Sequence, residues 1–184
     1  NIRLQYNAGR ITSTTAKIDA ASLKERACFL CDENRPSEQM DIVWNSNYKL
    51  LVNPFPIFPK HLTIPCVQHT AQAISRRIGD MMALAQILED YELFYNGPNC
   101  GASAPDHMHF QAGLKGYMPF VSDMENAAKQ EVLKKDNAAL CLVSGLERIA
   151  FVIDADDVKS GTEMFELLYR HLPISDGEYE PKIN

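Results

Sequence analysis

The sequence predicts an α+β fold built on antiparallel sheet, and three observations carry that prediction. Strand-like runs come in hairpins: Asp41 to Trp44 and Tyr48 to Asn53 are joined by Asn45-Ser46-Asn47, a set of turn formers. Helical spacing is confined to stretches set between groups of strands. The run His107 to Gly113 alternates polar with apolar residues at period two, as a strand with one core-facing side does. A doubly wound parallel sheet would instead need strands and helices to take turns.

In chain order, Ile2 to Asp19 reads as a short strand, a turn at Asn7-Ala8-Gly9-Arg10 and an extended Ser/Thr-rich stretch. Cys28-Phe29-Leu30-Cys31 follows a polar, charged segment. After the first hairpin, Pro54-Phe55-Pro56-Ile57-Phe58-Pro59 is a stiff apolar loop, because three residues without amide donors cannot sit in a central strand. His61 to Cys66 is a further strand. Thr70 to about Leu88 is the clearest helix, with Ala71, Ile74, Ile78, Met81, Met82, Ala85 and Leu88 at helical spacing. Tyr91 to Asn96 returns as a strand and Gly97 to Pro105 as a loop of small residues. Asp123 to Lys135 reads as a helix. A second unit then begins with a hairpin, Ala138 to Ser144 against Arg148 to Ile153. A helix follows from Ser160 to about His171, where Ser160 and Glu163 have capping-box spacing. Residues 1–120 are expected to form one domain and 121–184 a helix and the start of a second, similar half. The polar end, Ser175 to Asn184, is expected to fray or to lead into further sequence.

Composition excludes some classes of function. A 46% hydrophobic content suits a packed core rather than general disorder. A net charge of -6 argues against a non-specific nucleic-acid binder but leaves room for a small anion held by a few aimed donors. No apolar run is long enough to span a bilayer, and no signal-peptide pattern is present. The chain opens on Asn1, so targeting is not read from its start. Five cysteines, an odd number, suit thiols or metal ligands in a reducing compartment, and the expected location is cytoplasmic.

Chemistry concentrates in His107-Met108-His109-Phe110-Gln111. Strand geometry puts both imidazoles and the amide on one face, about 13 Å from end to end. A neutral imidazole can attack phosphorus, and an amide can donate to a phosphoryl oxygen without adding charge. A solvated sheet face is the blander reading. The preceding loop, with Asn96, Gly97, Gly101, Ala102 and Ser103, is small enough to let backbone amides approach an anion. Cys28 and Cys31 have the spacing of half a zinc site, and His69 and His107 are candidates to complete it; buried apolar thiols are the alternative. His69, placed just before the long helix, would be kept neutral by the helix dipole. Arg10 and Lys17 are either phosphate contacts or solvated charges. Phe55, Ile57 and Phe58 either wall a nucleobase or pack the core. His61 and His171 have no convergent partners and read as structural, and Asp154, Asp156 and Asp157 as a solvated turn.

Asn96-Gly97, Gly101-Ala102-Ser103, Pro105 and the H-x-H-x-Q block together resemble the signature of the histidine triad superfamily. The likeness is to the branch of galactose-1-phosphate uridylyltransferase and the diadenosine tetraphosphate phosphorylases. It covers about Ile2 to Gly113. It implies a HIT-like antiparallel sheet with flanking helices and a nucleotidyl transferase or phosphorylase. His109 would form a nucleotidyl-histidine intermediate, with Gln111 and Ser103 on phosphoryl oxygens and Asn96 orienting the histidine or a phosphate. His107 would be the fourth zinc ligand with Cys28, Cys31 and His69. Gln111 favours transferase or phosphorylase, since the hydrolases carry a third histidine there. Two departures stand out: Ala8 occupies the place of a family proline in Asn7-Ala8-Gly9-Arg10, and Asp106 precedes the first histidine. The branch is built of two tandem halves, whereas residues after 120 hold no second H-x-H, so the chain is either a fragment or a departure. The implied partners are a nucleotide or nucleotide sugar and a phosphate-bearing acceptor, with homodimeric pairing as in relatives. Competing readings are a non-catalytic nucleotide-binding module, a HIT-type hydrolase and a structural zinc domain.

Overall fold

The computed structural model describes residues 19–146 and 148–184. The expected N-terminal strand and turn, with Arg10 and Lys17, lie outside them. The chain is α+β with antiparallel sheets and flanking helices. It forms two units that interleave in sequence: 19–74, 90–115 and 174–184 make one, and 75–89 with 116–173 the other. The sequence reading had one cut at 120.

The first unit opens with helix α1 (Ala20–Glu25), capped by the Asp19 carboxylate on the Ser22 amide. Its sheet holds β1 (Asp41–Trp44), β2 (Tyr48–Val52), β3 (Leu62–Pro65), β4 (Tyr91–Phe94) and β5 (His109–Leu114), in the order β1-β2-β3-β5-β4, all antiparallel. Asn45 and Ser46 turn the β1–β2 hairpin with φ of 50° and 55°, the left-handed conformation that Asn tolerates better than most residues. Tyr48, Leu51, Ile64, Met108, Phe110 and Ala112 are buried and form the centre of the core. Gly113 serves close packing, since a Cβ there would lie 2.9 Å from Phe58.

The helix expected over 70–88 is shorter. In the second unit, α2 spans only Ile78–Ile87. Residues 70–74 instead run alongside the 105–108 segment: the Gln72 amide donates to the Pro105 carbonyl at 3.0 Å and the Met108 amide to the Thr70 carbonyl at 2.7 Å. Ala71 and Ile74 fitted the helical period by spacing alone.

Helix α3 (Pro119–Asn126) is followed by strand β6 (Lys129–Lys135), not by more helix. Lys, Glu, Gln and Leu favour a helix intrinsically, but Asp136-Asn137 turns the chain, and β6 pairs with β7 (Ala138–Val143). β7 then pairs with β8 (Phe151–Ala155), the predicted hairpin. Helix α4 (Val158–Tyr169) is capped by Asp157, whose carboxylate takes the Ser160 amide at 2.8 Å, so Ser160 is inside the helix and not its cap. Gly161 lets α4 approach Met82 of α2, whose Sδ and Cε would be 3.1 Å from a Cβ. Among the described residues no helix is long and apolar enough to cross a membrane.

The C-terminal segment does not fray. Glu180 is 1% exposed; its carboxylate takes the Ile74 amide at 2.5 Å and the Tyr95 hydroxyl. The Gly97 amide donates to the Ile183 carbonyl at 3.1 Å, and a Cβ on Gly97 would sit 2.6 Å from that oxygen. Gly97→Ala is therefore expected to destabilise the first unit by about 1–3 kcal/mol. A urea melt of the variant matching the parent would contradict this packing.

Candidate active site and metal centre

Cys28 and Cys31 lie on one turn, with the Cys31 amide on the Cys28 carbonyl at 3.2 Å. That turn puts both thiols on the same side, against two imidazoles. Cys28 Sγ is 3.3 Å from His107 Nδ1, and Cys31 Sγ is 3.2 Å from His69 Nδ1 and 3.6 Å from His107 Nδ1. All four ligand atoms lie within 4.8 Å of one another, a group that could hold a metal ion. His107 Nε2 is 2.8 Å from the Cys66 carbonyl, so this nitrogen carries the proton and Nδ1 keeps its lone pair for the thiols. Burial, with Cys28 alongside, pushes the Cys31 thiol up to about 11. Without a cation in the cluster, Cys31 is therefore held as the neutral thiol.

His69 joins the cluster as expected, but the helix dipole invoked to keep it neutral is absent. The helix α2 begins nine residues later, at Ile78, so its dipole does not act on the ring. Its Nε2 instead lies 3.8 Å from the Asp106 carboxylate. The same carboxylate pairs with Arg26 at 3.0 Å. Asp106, the residue that departs from the resembled signature, thus bridges the cluster to a cation.

The two histidines of H-x-H-x-Q part company. His107 precedes β5 and turns to the thiols, while His109 opens the strand and lines a cavity of about 440 Å³. His109 Nδ1 lies 2.8 Å from the His107 carbonyl, an acceptor, so Nδ1 carries the proton and Nε2 keeps the lone pair. Burial pushes this imidazole down to about 4, and the ring is neutral at ordinary pH. Its backbone is clamped by Gln72, which is fully buried: Oε1 takes the His109 amide at 2.8 Å and Nε2 donates to the His109 carbonyl at 3.1 Å.

Gln111 lines the same cavity two residues on. Its Oε1 is 3.0 Å from His61 Nε2, and His61 Nδ1 accepts the Ile57 amide at 3.2 Å. The second bond fixes the tautomer of the first: His61 donates, Gln111 accepts, and the Gln111 amide nitrogen is left to donate elsewhere. His61 was expected to be merely structural. It is 2% exposed and sets the orientation of Gln111, held in turn between Phe58 and Phe94.

Of the expected phosphate contacts, Ser103 lines the cavity, whereas Asn96 and Gly101 do not. The Asn96 carbonyl takes Gln72 Nε2 at 2.9 Å. Gly101 has φ 101°, which glycine adopts freely and which turns the loop. The amides of Cys100 and Ala102 close onto the Gly97 carbonyl, so these donors serve the loop and not an anion. Arg10 is outside the described residues. Arg26 is the one cationic side chain on the cavity wall among the described residues. It donates to the Ser103 carbonyl at 3.1 Å and lies 5.3 Å over the Phe29 ring. Phe55 lines the cavity, while Phe58 packs on His61 and Phe94. Gln72, His61 and Arg26 were missed because their partners are 37, 50 and 80 residues away in sequence.

The family model described as a domain of unknown function, DUF4922, matches residues 1–114. The chain belongs to that family. No curated protein and no solved structure matches it. The DUF4922 match ends on Leu114, the last residue of β5, and so contains the four-residue cluster, His109 and Gln111.

Proposed function

We propose that this chain is a nucleotidyl transferase or phosphorylase acting at the α-phosphorus of a nucleotide sugar or dinucleoside polyphosphate, through a covalent intermediate on His109. The observation that carries the reading is the state of that ring: buried, neutral, its Nδ1 proton given to the His107 carbonyl and its Nε2 lone pair left for the cavity. In the first step the Nε2 lone pair forms a P–N bond. The bond from phosphorus to the bridging oxygen breaks, and its electron pair leaves with the departing phosphate or sugar phosphate. In the second step an oxygen of the phosphate-bearing acceptor bonds to phosphorus, and the P–N pair returns to Nε2. The free N–H groups of Gln111 and the Arg26 guanidinium stand where charge develops on the phosphoryl oxygens.

The four-residue cluster fits zinc. Tetrahedral bonds of about 2.3 Å to sulfur and 2.0 Å to nitrogen put those atoms about 3.5 Å apart. The S···N separations of 3.2–3.6 Å are close to that. Four protein ligands make a closed, structural site that anchors the 28–31 turn to the start of β5. We read the five-stranded unit as HIT-like on the same grounds.

Incubation with α-phosphorus-labelled nucleotide sugars and dinucleoside polyphosphates tests the reading. Acid-labile, base-stable label is expected on the protein and is discharged by phosphate or a sugar phosphate. Label discharged equally fast by water alone would make the chain a hydrolase, and an absence of label under single-turnover conditions would sink the proposal.

A further inference from the structure

Asp106 touches both the four-residue cluster and the cation of the cavity wall, and the turn that carries it is tied down on both sides. The His107 amide closes onto the Ala104 carbonyl at 3.1 Å, with Pro105 and Asp106 at the centre of the turn. Pro105 fixes its own φ, and its carbonyl takes the Gln72 amide at 3.0 Å and the Tyr179 hydroxyl at 3.2 Å. The carboxylate therefore springs from a backbone with little freedom. Its oxygens face different partners: Oδ2 lies 3.8 Å from His69 Nε2, and Oδ1 takes Arg26 Nη2 at 3.0 Å.

Arg26 caps the C-terminus of α1, with its own amide on the Ser22 carbonyl at 3.1 Å. Several rotatable bonds separate that anchor from the guanidinium. Nη2 uses both its N–H groups on the protein, one on Asp106 and one on the Ser103 carbonyl at 3.1 Å. That leaves the two N–H groups of Nη1 uncommitted among the described residues. The guanidinium carbon also stands 5.3 Å over the Phe29 ring. Among the described residues Asp106 is the one carboxylate paired with Arg26.

We propose that Asp106 is a positioning residue: it holds the Arg26 guanidinium at the cavity wall, so that a nucleotide's phosphate meets a cation already in place. This rests on the nucleotidyl-transfer reading and deepens it. Asp106 does not line the cavity, so it acts through Arg26 and not on the substrate. Without the carboxylate the long side chain keeps one carbonyl and one ring face, and loses rotamer freedom at the moment an anion binds. Charge alone argues the other way. A carboxylate this close to an anion's partner repels the anion, so its removal should tighten binding. The sign of the effect separates positioning from simple electrostatics.

Equilibrium binding of ADP, GDP, CDP and UDP to the full chain tests this, with the tightest of the four as the probe. Asp106→Asn is expected to weaken the probe about 3- to 10-fold. With Arg26→Gln already in place, the same substitution should leave affinity unchanged or tighten it, because no guanidinium remains to be held. A damaged fold would instead weaken binding whichever residue stands at 26. Asp106→Ser, with the same expectations, replaces an Asn variant that does not fold. Equal or tighter binding after the loss of the carboxylate, or an equal loss in both backgrounds, overturns the role of Asp106 and leaves the transfer reading standing. No binding of any of the four to the parent overturns both.

Discussion

Under the proposed mechanism, replacing His109 by alanine is expected to lower nucleotidyl transfer by at least about 10³-fold, because the variant lacks the atom proposed to form the P–N bond. The loss should fall on the chemical step. The Arg26 guanidinium remains on the cavity wall, so nucleotide affinity should change little. A structural role for the ring predicts something else: lost metal, a lower melting temperature and weaker nucleotide binding together. His109→Gly with added imidazole separates the two, since a diffusible ring can restore chemistry but not packing. Transfer within tenfold of the parent in His109→Ala would remove His109 from the mechanism.

Removing the proposed zinc should have the next largest effect, and on stability before activity. Cys31→Ser leaves three ligands where four converge, and Cys31 lies near both imidazoles. Zinc content is expected to fall from one equivalent to well below half. Loss of a structural zinc at this position should cost on the order of 3–5 kcal/mol, a drop of about 10 °C in melting temperature for a chain of this length. Metal analysis and thermal melts with and without a chelator measure both. A parent protein that carries no zinc after purification in zinc-containing buffer, or a variant with an unchanged melt, would mean that the cluster is held by thiol–imidazole hydrogen bonds alone.

What could be read from the sequence was chemistry carried by local spacing. Cys28 and Cys31 are three residues apart, His107, His109 and Gln111 alternate, and those short intervals survive whatever the rest of the chain does. The hairpins at Asn45-Ser46-Asn47 and over 138–155 were legible because turn chemistry is also local. Orientation was not legible. Nothing near His61 says that its Nδ1 meets the Ile57 amide while its Nε2 meets Gln111. Nothing near Gln72 says that it will hold both backbone groups of His109. The two misread helices failed for opposite reasons. At 70–74 the chain runs beside 105–108 and 75–77 is a turn, so the apolar spacing there, with Ala71 exposed, was coincidence; at 129–135 helix-forming residues were drawn into a strand by the partner beyond Asp136-Asn137.

The return of residues 174–184 to the first unit bears on how a ribosome can deliver this protein. Glu180 takes the Ile74 amide and the Tyr95 hydroxyl, and the Ile183 carbonyl takes the Gly97 amide, so these bonds form only when residues 180–183 are in place. The 75–89 and 116–173 unit is by then fully synthesised. The cavity-bearing unit is thus completed by residues that follow the 116–173 segment in sequence, and a chain cut between 173 and 180 keeps His109 but lacks the carboxylate that binds the Ile74 amide and the Tyr95 hydroxyl.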